Sequence, residues 1–195
     1  MTIEKRYLSA NELLLDSWRL ASAVREADWR PDWLVALWRG GAPAGVAVHE
    51  FLKVSGWNVR HVPLKSASYT GIGQNDGEVA FTLGDETFGL FKPGERVLFV
   101  DDVFDTGKTA KAVRARMDAI GVEMRLACVY WKPACNQTDL QPDYFAQDVG
   151  DTWLVFPHEI DGLCEEEVLR KDPALAGMLS RFALAGVRGH GGKAK

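Results

Sequence analysis

The chain has 195 residues, 47% of them hydrophobic and 26% charged, which suffices for one domain with a well-buried core. A formal net charge of −4 argues against a nucleic-acid partner, whose binding would need Lys and Arg to neutralise phosphates, and leaves room for a local anion site. No stretch approaches the roughly 20 apolar residues of a membrane span.

Ser9 followed by Glu12 is a capping-box pattern, and Leu14, Trp18 and Ala21 then recur at helical spacing, so a helix is predicted over 10–27. The apolar run Trp33 to Trp38 reads as a buried strand that breaks at Arg39-Gly40-Gly41, followed by a helix over 43–54. A second strand is placed at 57–64, and the Gly-, Ser- and Asn-rich segment from about 67 to 77 is predicted to be a mobile loop. Strand-type residues resume at 78–83, a turn falls at 92–95, and Val97 to Val100 form a fully apolar strand ended by two acids, Asp101 and Asp102. A helix over 108–120 stops at Gly121, and a third buried strand follows at 124–131. Helical composition returns from about 162 to 187, interrupted at Asp172-Pro173, and the last residues, 189–195, are expected to be disordered.

Strands apolar throughout, alternating with helices, imply a parallel sheet covered on both faces: an α/β, doubly wound, mostly parallel architecture. One domain over 1–195 is expected, with its core at about 28–160. Ligands in such sheets sit at the carboxyl ends of the strands, here the loops Arg39 to Gly41, Asp101 to Thr109 and Lys132 to Ala134. Cys128, Cys135 and Cys164 are odd in number and lack CxxC spacing, so reduced thiols fit better than disulfides or zinc. The first six residues carry charges with no apolar run behind them, so no secretory signal is expected and the location is read as cytoplasmic.

The string VLFVDDVFDTGKTA carries the chemistry. Adjacent carboxylates can hold a hard cation such as Mg²⁺, or sugar hydroxyls. The turn with Asp105, Thr106, Gly107 and Thr109 opens a helix, whose free N–H groups and positive dipole end make a phosphate cradle. Asp105, one turn from the pair, is placed to act as acid or base. A nucleotide-triphosphate P-loop is excluded, because its GxxxxGK[ST] spacing requires Gly where Asp102 stands, and a carboxylate there would repel the enclosed phosphates.

An apolar strand running into two acids, then Asp-Thr-Gly and Thr, resembles the phosphoribosyl pyrophosphate (PRPP) motif of the type I phosphoribosyltransferases. The resemblance implies that fold with a flexible hood loop. It assigns Asp101 and Asp102 to the ribose hydroxyls and the Mg²⁺-PRPP complex, Asp105 to catalysis near the base, and Asp105, Thr106, Gly107, Lys108 and Thr109 to the 5′-phosphate. Arg39, Gly40 and Gly41 resemble the family's pyrophosphate loop, where free backbone amides and a guanidinium suit a diphosphate. Ser68-Tyr69 resembles the hood of the purine-specific members, whose closure keeps water from a reactive ribosyl cation.

YWKPA at 130–134 and DTWLVFP at 151–157 resemble, in order and spacing, the base-binding segments of bacterial xanthine-guanine phosphoribosyltransferases. That implies base contacts from Lys132, Trp153 and Leu154: the first to the purine 6-oxygen, the second by stacking, the third through its backbone. Lys132 is a pure donor, which suits a 6-oxopurine and offers nothing to adenine's amino group. Where those enzymes carry a Trp-Asp pair, His158-Glu159 stands here. The activity implied is transfer of the 5-phosphoribosyl group from PRPP to hypoxanthine, guanine or xanthine in purine salvage, by a homo-oligomer, a dimer or tetramer. The alternative is a regulatory protein that senses PRPP or purines with the same fold. It would be expected to bring a DNA-binding domain or basic face, which the stretch before the first strand and the acidic balance are not expected to supply. Cys128, Cys135, His49, His61 and His190 are read as structural or surface residues.

Overall fold

The computed structural model describes residues 5–65, 67–68, 79–80 and 84–182. The chain opens with a short strand β1 (Lys5–Tyr7) and helix α1 (Ala10–Glu26). Ser9 caps α1 by accepting from the Glu12 N–H at 3.1 Å, while the Glu12 carboxylate turns to Arg6 at 2.5 Å, so half of the anticipated capping box forms. Strand β2 (Trp33–Trp38), helix α2 (Gly41–Val54) and strand β3 (Arg60–Lys65) follow, then two-residue strands β4 (Ala67–Ser68) and β5 (Val79–Ala80) and a short α3 (Gly84–Phe88). The remaining elements are β6 (Arg96–Phe104), α4 (Lys108–Ile120), β7 (Glu123–Trp131), β8 (Tyr144–Asp148), β9 (Trp153–Val155), α5 (Glu165–Lys171) and α6 (Pro173–Leu179).

Five strands form one parallel sheet in the order β3-β2-β6-β7-β8. Side-chain alternation along the central strands splits the core into two layers. Leu98 and Val100 face α1 and α2, in one cluster with Leu20, Val24, Val48 and Leu52. Val97 and Phe99 face the other way, toward Phe88, Val113 and Met117 of the α3 and α4 side. Both faces are therefore apolar, the condition under which parallel strands read as unbroken hydrophobic runs. Helix α1 is thus part of the core covering. Its Asp16 is fully buried and accepts from Tyr130 Oη at 2.8 Å and Gln147 Nε2 at 2.7 Å, tying the helix to β7 and β8.

Strand β6 does not end at the acids. It continues to Phe104, with Asp101 opposite Cys128 and Val103 opposite Tyr130, because the equally long β7 goes on offering backbone partners. Asp101 and Asp102 therefore lie within a central strand, held by ladder bonds on a rigid frame. Helix α4 keeps its expected bounds and ends on Gly121, left-handed at φ 81°, whose N–H reaches Met117 O and Asp118 O. The fifth strand β8 and the parallel pair β1-β9, with Arg6 opposite Leu154, join segments far apart in the chain. The break at Asp172-Pro173 is a helix junction: Asp172 accepts from Ala174 N at 2.7 Å and Leu175 N at 3.1 Å, capping α6 as α5 ends. Tyr69, the rest of the anticipated hood at 70–77, and the tail 189–195 with His190 lie outside the described residues.

Candidate active site

The carboxyl ends of β2, β6 and β7 bring three loops together, as expected of an open α/β sheet. At the centre is the acid pair. Asp102 is 6% exposed and Asp101 half-buried. Asp101 Oδ1 accepts from the Asp102 N–H at 2.9 Å, and Asp102 Oδ1 from the Val103 N–H at 2.8 Å. Burial first, and then the neighbouring Asp102 carboxylate, push the Asp101 carboxyl well above the usual carboxylate range. Among the described residues no Lys or Arg pairs with either acid; the basic side chain within reach is His158, whose Nε2 lies 3.6 Å from Asp102 Oδ2 and forms an ion pair only when the imidazole is protonated. Two adjacent carboxylates short of positive charge fit a divalent cation. No cluster of three or more His, Cys, Asp or Glu suited to a metal occurs among the described residues, so most of the cation's ligands would come from substrate oxygens and water, a coordination Mg²⁺ commonly adopts.

Arg39-Gly40-Gly41 lies directly on this pair. A Cβ added at Gly40 would stand 2.3 Å from Asp102 Oδ2, and one at Gly41 would stand 2.7 Å from the Val100 carbonyl oxygen. The glycines are needed for close approach, since any side chain would drive the loop off the acids. They also cap and begin the 14-residue α2, where the Ala42 N–H donates to Arg39 O at 3.1 Å and Pro43 carries no N–H, while Arg39 is exposed beside them.

Beyond the pair the chain turns through Asp105, Thr106 and Gly107 into α4. Gly107 sits at φ 76°, and a Cβ there would meet Thr138 Oγ1 at 2.4 Å, so both backbone conformation and space demand glycine. Lys108 is exposed at the first helical position and Thr109 half-buried at the second, leaving the N–H groups of this turn free for an anion. The turn is braced by a loop that sequence reasoning passed over. The Gln137 N–H donates to Thr106 O at 3.0 Å, and Asn136 Oδ1 accepts from Thr138 N and Oγ1, both at 3.0 Å.

On the other side, Lys132 is 8% exposed and places Nζ 3.3 Å from Asp105 Oδ2, whose side chain is about half exposed. A lysine on the β7 loop and an acid on the β6 loop, 27 residues apart, thus meet beside the glycine turn that opens α4. Cys135, read from sequence as structural or surface, belongs to this group. Burial raises its thiol pKa, the Lys132 charge opposes the rise and Asp105 adds to it, including through a hydrogen bond. The signal available was its place one short turn after Lys132, whose carbonyl accepts the Cys135 N–H at 3.1 Å. Trp153 is 50% exposed with Lys5 Nζ 5.9 Å from its ring centroid, and no described contact joins it to Lys132 or Asp105. Leu154 is buried in the same layer as Tyr130 and Phe156, fixing the backbone of β9. Ser68 lies in β4, opposite Val79 of β5 in a separate two-stranded pair. His158 was the residue least legible beforehand: a departure from the related sequences turns out to touch the central acid.

A central parallel sheet covered by helices on both faces, with an acid pair inside its middle strand, is the arrangement of the type I phosphoribosyltransferase fold. Residues 5–161 match the phosphoribosyl transferase domain family, and the chain belongs to that family. Among curated proteins it is similar to the hypoxanthine-guanine phosphoribosyltransferase of Lactococcus lactis, 24% identical over 154 residues, covering 78% of this chain and 81% of that one. Among solved structures it is similar to the purine phosphoribosyltransferase from Pyrococcus horikoshii, 28% identical, with a TM-score of 0.65 over 82% of this chain and 97% of the other. A hypothetical protein from Neisseria gonorrhoeae with bound ppGpp shares the fold at 20% identity and a TM-score of 0.69, over 91% of this chain and 98% of that one.

Proposed function

We propose that this protein transfers the 5-phosphoribosyl group of PRPP to N9 of a 6-oxopurine, hypoxanthine, guanine or xanthine, with release of pyrophosphate. The observation that carries the reading is the meeting of Lys132 and Asp105 beside the phosphate turn. A buried ammonium has three donors and no acceptor, so it suits a ring carbonyl and is poorly matched to an exocyclic amine. Similarity to purine-specific enzymes supports the same substrate class.

In this reading the free N–H groups at the start of α4 hold the 5′-phosphate, and the Gly40-Gly41 backbone, with Arg39, holds the pyrophosphate. Asp101 and Asp102 would hold Mg²⁺ together with PRPP, and the cation would supply charge stabilisation to the departing pyrophosphate. The N9–C1 bond forms as the bond from C1 to the pyrophosphate oxygen breaks, and Asp105 accepts the proton that the purine ring gives up. Lys132, bonded to Asp105 in the free protein, turns one donor to the 6-oxygen and keeps the acid beside the ring.

The test is pyrophosphate release from PRPP with Mg²⁺ and each of adenine, hypoxanthine, guanine and xanthine. Turnover with at least one 6-oxopurine and little with adenine is expected. Comparable turnover with adenine would overturn the base assignment, and no turnover with any purine would overturn the proposed activity.

A further inference from the structure

The family match ends at residue 161, yet the chain continues into α5 and α6 and packs back on the base-facing side of the site. Val168 and Leu163 are buried with Val155 of β9 in a cluster of their own, with Tyr7 of β1 packed against it. Glu167 pairs with Lys5, and the Arg170 guanidinium lies 5.1 Å from the centre of the Tyr7 ring. The extension is therefore seated on the β1-β9 pair.

Lys171, the last residue of α5, carries the contact that matters. Its ammonium donates to the carbonyl of Phe156 at 2.5 Å and also to that of Glu159, grasping both ends of the turn that holds His158. The turn is closed from within as well: the Glu159 N–H donates to Phe156 O at 3.0 Å, and the Phe156 N–H to Glu159 Oε2 at 3.1 Å. His158 is left facing Asp102, with Nε2 3.6 Å from Oδ2 and its ring 5.6 Å from that of Phe156. Asp102 Oδ1 is already committed to the Val103 amide, so Oδ2 is the oxygen open to a ligand, and His158 is the side chain beside it.

We propose that Lys171 is a positioning residue for PRPP binding: by clasping the 156–159 turn it sets His158 against Asp102, so a segment outside the family domain orients the central acid. This rests on the reading that Asp102 takes part in PRPP binding. Partners that orient a ligand-holding carboxylate typically change affinity by about 10- to 100-fold when removed.

The test is calorimetric titration of PRPP with Mg²⁺ into the full-length protein, its Lys171→Met, Lys171→Arg and His158→Ala variants, and the Lys171→Met/His158→Ala double variant. Lys171→Met and His158→Ala are each expected to weaken PRPP about tenfold, with the double variant no weaker than the worse single one, because both act on one contact. Lys171→Arg should recover most of the affinity, and in turnover Lys171→Met should raise KM for PRPP with kcat nearly unchanged. If Lys171→Met does not fold, Lys171→Gln, which keeps a donor for one of the two carbonyls, takes its place in the same measurement. Wild-type affinity in the Lys171 variant, or losses that multiply in the double variant, would overturn the proposal. Failure of the unaltered protein to bind PRPP would instead overturn the function on which it rests.

Discussion

The two halves of the site, to which the proposed function gives the phosphate and the base, are built in opposite ways. Asp101 to Thr109 form one continuous segment in which a central strand runs through a glycine turn into a helix, and neighbouring residues are held by ladder and helix bonds. The other half draws Lys132 from the loop after β7, Trp153 and Leu154 from β9, His158 from a turn and Lys171 from α5. A grip on a common substrate can thus stay rigid while the wall that reads the variable substrate is assembled from replaceable parts. It follows that a substitution in the first half should affect every base alike, and one in the second should change how the base is held or act at a distance.

The largest expected effect falls where the halves meet. Asp105→Asn should bind PRPP yet lose about 10²- to 10⁴-fold in turnover, the range of a positioned acid or base, whichever base is offered. Single-turnover kinetics with near-native rates would remove Asp105 from the proposed chemistry. Lys132→Met should lose about 10- to 100-fold in kcat/KM for 6-oxopurines, the scale of one hydrogen bond from a charged donor, while PRPP binding survives. Equal losses in PRPP affinity would show that the halves are not separable at Asp105.

Trp153→Ala sharpens the base side further. If the exposed indole stacks on the ring, all purines should weaken by the same factor, about 1–3 kcal/mol by the measure of base stacking on aromatic residues. Unequal KM changes across hypoxanthine, guanine and xanthine would mean that Trp153 reads a substituent. On the phosphate side, Gly107→Ala must push a methyl to 2.4 Å from Thr138 Oγ1 at a positive φ, which should cost about 1–3 kcal/mol in urea unfolding and weaken PRPP. Thr138→Ala, which removes that oxygen, should restore part of the loss.

The smallest effect concerns the tie between β1 and α5. The hydrogen bond from Lys5 lowers the Glu167 pKa, and the one to Glu167 raises the Lys5 pKa. A depressed carboxyl stabilises the fold above its unfolded value of 4.5 and loses that contribution as pH falls through the folded value; a raised ammonium stabilises below 10.5 and loses it as pH climbs through its folded value. Melting temperatures of Glu167→Gln and the unaltered protein should therefore differ between these limits and converge as pH falls through the lowered folded value of Glu167, with a difference worth at most about 1 kcal/mol for a partly exposed pair.

What could be read from the chain alone follows the same division. The apolar runs Trp33 to Trp38 and Val97 to Val100 announced buried parallel strands, and Gly107 and Gly121 marked both ends of α4, because period and glycine chemistry act between near neighbours. The acid pair was legible for the same reason, although its place inside β6 depended on the length of β7. Strand β8 escaped notice because an edge strand with Gln147 and Asp148 on it lacks an apolar run. By itself, then, the sequence determined the sheet, the glycine turn into α4 and the family, since each is encoded in contiguous residues whose backbone preferences agree. Only the tertiary structure decided that Lys132 and Cys135 meet Asp105, that His158 meets Asp102, and that Lys171 holds the turn between them. Those contacts join residues 27 to 56 positions apart or clasp a turn from a separate helix, and no local pattern records a distance that folding alone creates.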